Sequence, residues 1–508
     1  MACNTFVLGI SLFILTKHVL PQTILQTAEG KIRGNVESST RGENPYAIFY
    51  GVPYAKPPIG NLRFKSPQPM DSWDGVFDNY LTMKSACPQF NALPIEVVRE
   101  DCLYLNIATP AVKEGEINPD AKLAVMVWIY GGSWIEGSNN PILYNPDFFM
   151  DHDVVFVGVN YRLGALGFFA LENQAFGNQG LRDQAMALDW VQNNIEYFGG
   201  DSDRVTIFGK SAGSWSVFYH TLSPHTTGLF HRAIAQSGAN LGPGLNNYPR
   251  TQEKAFQLGL DLATRVGCYP TKEDFRNEEL LECLQNIEDP FDILNADDYG
   301  TSYANIDTIL GAEAFLPDNP RSILESGAMN EVDLIIGVNQ DEGLEAIIPL
   351  LMDPGNDTLY AAIRSDWASK GPYMIFDQHE GEVTEEAIAL SDTVAQFYLP
   401  GGIPSFNNAN LGGIVDMFSD AWYWYTTHDW ARLTVQNNLT TYRYINSYDS
   451  LYGLLLISGV PNTEDYGVCH GDELMLLFGG VLSSVLPAGD EQVSQDLVRW
   501  WTNFAKYG

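Results

Sequence analysis

VTIFGKSAGSWSV (205–217) runs from a β-branched and aromatic stretch, through a glycine-flanked serine, into a plausible helix. Gly209-Lys210-Ser211-Ala212-Gly213 fits the pattern G-x-S-x-G, a turn that holds its serine in a strained corner between strand and helix. Glycines on either side relieve the contacts that a Cβ would make there. The corner lifts the hydroxyl above the sheet edge, and the amino terminus of the helix beneath it favours developing negative charge. Five residues alone are a common pattern. The strand-like run before them and SWSVFYH (214–220) after them supply the context that makes Ser211 a candidate nucleophile.

Outward from this corner, LAVMVWIY (123–130), VVFVGVNY (154–161), RVTIFG (204–209), RAIAQSG (232–238) and DLIIGVN (333–339) read as strands buried on both faces. QGLRDQAMALDWVQNNIEYF (179–198) has apolar residues at helical spacing and stops at Gly199-Gly200. Strands alternating with helices predict an α/β fold, a mostly parallel sheet covered on both sides, with ligands at the carboxyl ends of the strands. The length would allow about three or four average domains, but no repeat, low-complexity tract or long Pro/Ser linker divides the chain. A single domain over 24–508 is expected, with the aromatic, helix-periodic region from about 345 to 465 as helical insertions over the site.

A serine hydroxyl needs a base and the base needs an orienting acid; around such an elbow the order is Ser, then Asp or Glu, then His. Of the histidines after Ser211, His220, His225 and His231 lie in the elbow helix or just beyond it, His379 in a polar stretch, and His428 in an aromatic helix-like run. His470 stands in YGVCHGDELML (466–476), a glycine-flanked loop running into a helix, and is the candidate base. IIGVNQDEG (335–343) offers Asp341 and Glu342 as the acid just past a strand, and the residues alone do not choose between them. Gly131-Gly132-Ser133-Trp134, after the strand at 123–130, and the amide of Ala212 are candidate donors to an oxyanion.

Asp and Glu total 63 against 28 Lys and Arg, a formal net charge of -35 over 508 residues. Such a surface repels nucleic acid and anionic membrane, because binding phosphate requires clustered cations. TFVLGISLFIL (5–15) is apolar and uncharged but shorter than the roughly 20 residues a bilayer span needs, so it reads as part of a secretory signal peptide over 1–23. No later stretch is long enough to span, which predicts a secreted, extracellular protein without integral membrane contact. Cys3 falls in the leader, Cys469 has no obvious partner, and Cys87/Cys102 and Cys268/Cys283 are two similarly spaced local pairs. Six cysteines allow many pairings; each local loop would be worth about 3 kcal/mol if oxidised. No CxxC-type metal spacing occurs, and Asn356 (NDT) and Asn438 (NLT) are N-glycosylation sequons.

Taken with YGVPYAKPPIGNLRF (50–64), EDCLYLNI (100–107), WIYGGSW (128–134), NYRLGALGF (160–168), GNQGLRDQAMALDWVQNNIEYFGGD (177–201), GVNQDEG (337–343) and GVCHGDEL (467–474), the chain resembles the type-B carboxylesterase and cholinesterase-like family of α/β-hydrolases, from about residue 28 to its last. The resemblance implies Ser211 as nucleophile, Glu342 as acid and His470 as base, with oxyanion donors at Gly132, Ser133 and Ala212 and Ser237 near the acid. It also implies disulfides Cys87-Cys102 and Cys268-Cys283, and a secreted serine carboxylesterase that acts on small-molecule or lipid esters through an acyl-enzyme. No metal or organic cofactor is implied.

Four departures qualify that picture. Ser133 stands where the family usually has glycine or alanine, which crowds the site and predicts poor turnover of bulky tertiary-alcohol esters. Lys210 replaces a glutamate or glutamine, and a cation beside the nucleophile is expected to disfavour cationic choline esters. The loop from Cys87 to Cys102 contains no tryptophan, which argues against an acetylcholinesterase. The chain stops at WTNFAKYG, some tens of residues before relatives do, which reads as a truncation. Of other readings of the fold, an adhesion protein would lack a working triad and a lipase would need a lid. GVCHGDEL is similar to the histidine motif of juvenile-hormone esterases, against which Lys210 argues. Trp134 and Phe315 are candidates to shape the pocket, and in IDTILGAEAFLP (306–317) Leu310 precedes Gly311 where many relatives read Asp-Gly.

Overall fold

All five runs read as buried strands are strands of one sheet. The computed structural model describes residues 22–77, 84–239, 241, 249–268, 276–297, 301–352, 357–376, 383–451, 453–460, 466–480 and 486–508. Along its continuous path the sheet contains β1 (Gln22–Gln26), β2 (Lys31–Ser38), β3 (Pro45–Pro53), β4 (Tyr104–Thr109), β5 (Leu123–Ile129), β6 (Val154–Val159), β7 (Gly200–Lys210), β8 (Arg232–Gln236), β9 (Asp333–Asn339) and β10 (Thr441–Asn446). Their spatial order is β1-β2-β3-β4-β6-β5-β7-β8-β9-β10, with the short strand Val76–Phe77 beside β2. From β6 to β10 every pairing is parallel, whereas the pairs from β1 to β6 are antiparallel. Helices flank this sheet, so the architecture is the α/β-hydrolase fold expected from the strand–helix alternation.

Burial explains why the middle strands were legible. Every residue of β6 is buried, as are six of the seven in β5. Helix α1 (Gln179–Asn194) continues through a 3-10 turn to Phe198 and ends at Gly199, whose φ of 77° is the left-handed geometry of a glycine stop. Helix α2 (Ala212–Leu222) follows β7 directly, and α3 (Ala488–Tyr507) packs Val498 and Trp501 into the main core. Among the described residues, no helix is long and apolar enough to cross a membrane.

Two expectations are corrected. The region from 345 to 465 does hold helices, among them Trp367–Phe376, Glu385–Tyr398, Leu411–Ser419 and Tyr425–Gln436, with a hydrophobic cluster of their own. It also contains β10, an edge strand of the main sheet that the helical reading swallowed. None of the six residues of β10 is fully buried, and Tyr442 and Ile445 are exposed, so the strand lacks the apolar pattern of its neighbours. At the other edge, Gln22 and Thr23, counted with the leader in the sequence, pair with Asn35 and Gly34 as the first residues of β1. Residues 1–21 lie outside the described residues.

Both local cysteine pairs are disulfides, Cys87–Cys102 with Cα atoms 5.1 Å apart and Cys268–Cys283 with 5.8 Å. Cys469 is free and buried. A buried ion pair fastens the turn after β6 to α1. Arg162 donates from Nε (2.8 Å) and Nη2 (2.6 Å) to the two carboxylate oxygens of Asp183, its backbone amide donates to the same group, and its Nη1 donates to the Lys65 carbonyl. Burial pushes the Asp183 carboxyl upward and Arg162 opposes it. Removing one partner leaves an uncompensated buried charge, so Arg162→Ala is expected to lower the unfolding free energy in urea by about 3–5 kcal/mol. An unchanged midpoint and slope would show that the pair holds nothing.

Candidate active site

The elbow is a backbone construction. Ser211 has φ 59° and ψ -125°, a strained conformation for a residue with a side chain. Its amide donates to the Gln236 carbonyl at 2.9 Å, and its own carbonyl accepts the Trp215 amide at 2.9 Å as the first turn of α2 begins. A Cβ at Gly213 would stand 2.0 Å from the Ile129 carbonyl oxygen, and one at Gly209 would stand 2.6 Å from that same oxygen. Only glycine at both positions allows β5, β7 and α2 to close on one another. Ile129 is also paired with Gly209 across the sheet, which sets the loop after β5 beside the serine.

That loop carries the predicted donors. A Cβ at Gly131 would meet the Lys210 carbonyl oxygen at 2.5 Å, and Gly132 at φ 112° folds so that its carbonyl accepts the amides of Ile135 and Glu136. Ser133 and Trp134 follow at φ 52° and 59°. Among the described residues none accepts a hydrogen bond from the amides of Gly132, Ser133 or Ala212. Trp134 does not shape a pocket: it is fully buried, donates from Nε1 to Ser216 Oγ at 2.9 Å and packs on Trp215 and Tyr219. Phe315 is likewise buried, against the rings of His220 and His225.

Of the two acids in the loop after β9, Glu342 contacts His470 and Asp341 does not. Glu342 Oε2 lies 2.6 Å from His470 Nδ1 with both side chains fully buried, while Glu342 Oε1 accepts the Asn339 amide at 2.7 Å. Asp341 instead clasps the histidine loop from outside: its amide donates to the Val468 carbonyl at 3.0 Å and its Oδ2 accepts the Val468 amide at 2.9 Å. Burial raises the Glu342 carboxyl to about 7, with Ser237, the Asn339 amide and Lys210 pulling the other way. Burial likewise drives the His470 imidazole down, opposed by Glu345 and Glu473 and reinforced by Lys210. Both shifts show burial disfavouring the charged form of each group, so the imidazole is neutral at neutral pH. His470 Nε2 has no hydrogen-bond partner, so no bond joins it to the Ser211 hydroxyl in this geometry; the Lys210 side chain, next to that serine, lies over Gly471, where a Cβ would meet its Cε at 2.6 Å.

Several residues around the pair escaped the sequence reading. Glu473 accepts from Gln236 Nε2 at 3.0 Å and from Asn339 Nδ2 at 2.7 Å, and Asn339 Nδ2 also donates to the Cys469 carbonyl at 2.7 Å, locking the histidine loop to the ends of β8 and β9. Asp472 accepts the amides of Leu454 and Cys469, and burial raises its carboxyl to about 7. Tyr423, in a π-helical turn over Asp420–Trp424, packs its ring against that of His470, tilted by 34° with centroids 4.5 Å apart. Ser237, which the resemblance had placed near the acid, has φ 60°, is buried where β8 ends and donates its amide to the Gly337 carbonyl. The other histidines are engaged elsewhere: His220 with Gln184, His225 with the Glu313 carbonyl, His231 with the Val205 amide and His428 with Arg443. His379 and the sequon at Asn356 lie outside the described residues, and Asn438 is exposed before β10.

An elbow serine, a buried Glu–His pair and an amide-bearing loop at the carboxyl end of a parallel sheet make an acyl-transfer site the natural comparison. A family model described as the carboxylesterase family matches residues 21–508. The chain belongs to the carboxylesterase family. It is a carboxylic ester hydrolase. It is 33% identical over 497 residues to a carboxylic ester hydrolase of Bombus ignitus, covering 95% of this chain and 85% of that one. It is also 33% identical to a juvenile hormone esterase of Tribolium castaneum (96% of this chain, 83% of that one) and 31% identical to an acetylcholinesterase of Electrophorus electricus (96% and 80%).

The clasp at Asp341 generates a structural expectation. Asp341→Ala frees a buried amide, so Val468 is expected to exchange its amide hydrogen at least about tenfold faster, with about 1–3 kcal/mol lost from the unfolding free energy. Exchange at the wild-type rate would mean that the histidine loop is held by Asn339 and Glu473 alone.

Proposed function

We propose that the protein hydrolyses esters through an acyl-enzyme on Ser211, with His470 as general base and acid and Glu342 as the group that orients the imidazole. The observation that carries this reading is the fully buried 2.6 Å contact between Glu342 and His470 Nδ1, which leaves Nε2 as the proton-accepting atom. His470 takes the Ser211 proton as the oxygen attacks the carbonyl carbon. The amides of Gly132, Ser133 and Ala212 stabilise the negative oxygen of the tetrahedral adduct. His470 then returns the proton to the departing alcohol, and a water deprotonated by the same nitrogen releases the acid. The positive charge formed on the imidazole draws Glu342 into its ionised form, which the Asn339 amide also stabilises.

The two disulfides suit an oxidising compartment, and we propose that the chain is secreted as one catalytic domain, with the leader ending ahead of Gln22, since that residue is already strand. Asn438, exposed, is the proposed glycosylation site supported by its position.

p-Nitrophenyl esters from acetyl to long acyl chains test the reading. Ser211→Ala is expected to reduce kcat by about 10⁴-fold or more with the fold intact. Persistent turnover in that variant would assign the chemistry to another group. Because burial lowers the His470 pKa, kcat/KM is expected to persist as pH falls below the ordinary histidine value of about 6.5, its acid limb lying under that value. A limb centred above 6.5 would place the titrating group elsewhere.

A further inference from the structure

Ser216 stands one helical turn after Ala212 on α2, and every bonding position of its hydroxyl is taken. Its Oγ donates to the Ala212 carbonyl at 2.9 Å and accepts from Trp134 Nε1 at 2.9 Å and Gln184 Nε2 at 3.2 Å. A hydroxyl has one proton and two lone pairs, and an indole N–H and an amide NH₂ only donate, so the direction of each bond is fixed. Trp134, Gln184, Ala212 and Ser216 all lie in the dry interior, none with more than 1% exposure. The chain of bonds continues through α1 to a titratable group that the reaction does not use. His220 Nε2 meets Gln184 Oε1 at 2.9 Å; that oxygen only accepts, so the ring proton sits on Nε2 and Nδ1 is left without a partner. Burial lowers the His220 pKa to about 3, so the ring is neutral at neutral pH and the chain of bonds keeps its direction.

Two of the groups joined at this hydroxyl belong to different arms of the site. Trp134 directly follows Ser133 in the loop after β5, and Ala212 directly follows Ser211. The amides of Ser133 and Ala212 are oxyanion donors in the reaction proposed above, on which this step rests. Ser133 and Trp134 have no regular structure to hold them and adopt φ of 52° and 59°. Trp134 is held instead by α2, whose Trp215 and Tyr219 rings pack on its indole, and by the Gly164 amide, which donates to its carbonyl at 2.7 Å. Packed rings can slide over one another; the single N–H bond to Ser216 sets where the indole sits along the helix. We propose that Ser216 is a positioning residue for the reaction, its hydroxyl tying the Ser133 arm of the oxyanion hole to the Ala212 arm and so setting the spacing of their amides.

The alternative is a hydroxyl that only satisfies itself, since a serine inside a helix commonly bonds the carbonyl four residues back. That role accounts for the Ala212 bond but leaves the Trp134 and Gln184 bonds without a purpose beyond stability. The two roles differ in what they cost. Without the hydroxyl, Trp134 Nε1 and Gln184 Nε2 each lose their acceptor where no water replaces it, and each must move to find another. Ser133 shares a peptide bond with Trp134 and moves with it. Oxyanion donors act on the transition state and not on the bound ester, so misplacing one lowers kcat and leaves KM in place. A packing role lowers stability and leaves the rate per folded molecule unchanged.

Wild type, Ser216→Ala, Trp134→Phe and the double variant test this, each assayed on p-nitrophenyl acetate and with 1,1,1-trifluoroacetone as inhibitor. When the Ser211 oxygen bonds to the ketone carbon, the carbonyl π pair moves onto its oxygen and the serine proton passes to His470, so the inhibitor reads the oxyanion donors directly. In each single variant kcat is expected to fall about tenfold with KM held within about twofold, and the inhibition constant to rise by the factor by which kcat/KM falls. The double variant is expected to lose no more than Ser216→Ala alone, because both changes break the same bond. Should Ser216→Ala fail to fold, Trp134→Phe, which keeps an aromatic ring while removing the N–H donor, decides the matter. An unchanged kcat and inhibition constant in the folded variants, or a loss carried by KM alone, overturns the proposal. Turnover that survives Ser211→Ala would instead overturn the acyl-enzyme reading beneath it.

Discussion

The contact on which the site depends is one between backbones. The Ile129 carbonyl at the end of β5 occupies the space that side chains at Gly209 and Gly213 would need. Three consequences follow from that single approach. Ser211 is forced into a conformation few residues adopt, the first free amides of α2 are placed beside it, and the Gly131–Trp134 loop is brought against the Lys210 carbonyl. Strain at Ser211 is sustained because the Gln236 carbonyl and the Trp215 amide hold the corner from both sides. The glycines therefore act as spacing elements for the whole active centre, and their cost in chain entropy is offset by the rigidity of the strands on each side.

Rigidity of the histidine loop comes from a different source. His470 lies in a segment with little regular structure, yet its position is fixed by Glu342, by the Asp341 clasp at Val468, and by Asn339 and Gln236 acting through Glu473. Each of these partners sits at or just past the end of β8 or β9. The sheet's register, which pairs Gln236 with Gly337, is thus transmitted to the imidazole by hydrogen bonds rather than by packing.

Legibility in the sequence followed burial and local chemistry. Strands β5 to β9 could be read because both faces of their central residues are covered, which makes those residues mostly apolar. The others could not: the edge strand β10 is half-solvated, and the antiparallel β1 to β4 have no adjoining helix pattern to announce them. Ser211 and His470 stood out because glycines flank them at fixed offsets, and Glu342 followed from the resemblance rather than from its own surroundings. Tyr423 and Asn339 had no such signal. Tyr423 owes its place to a π-helical turn that swings it over a ring more than forty residues away in sequence. Trp134 shows the converse error: next to the oxyanion loop in sequence, it is turned by its positive φ into the core.

The same geometry gives Lys210 a meaning that its place beside the nucleophile does not suggest. Glu342, Asp472 and Glu473 are buried close to one another, and burial raises the carboxyl of each, so that ionising all three would be costly without a counter-charge. Lys210 supplies it from the strand end, with its alkyl stem laid over Gly471, a residue whose missing Cβ makes room for the ammonium. A neutral residue at 210 would leave the acids more protonated. The lysine is then a structural counter-ion for the histidine loop.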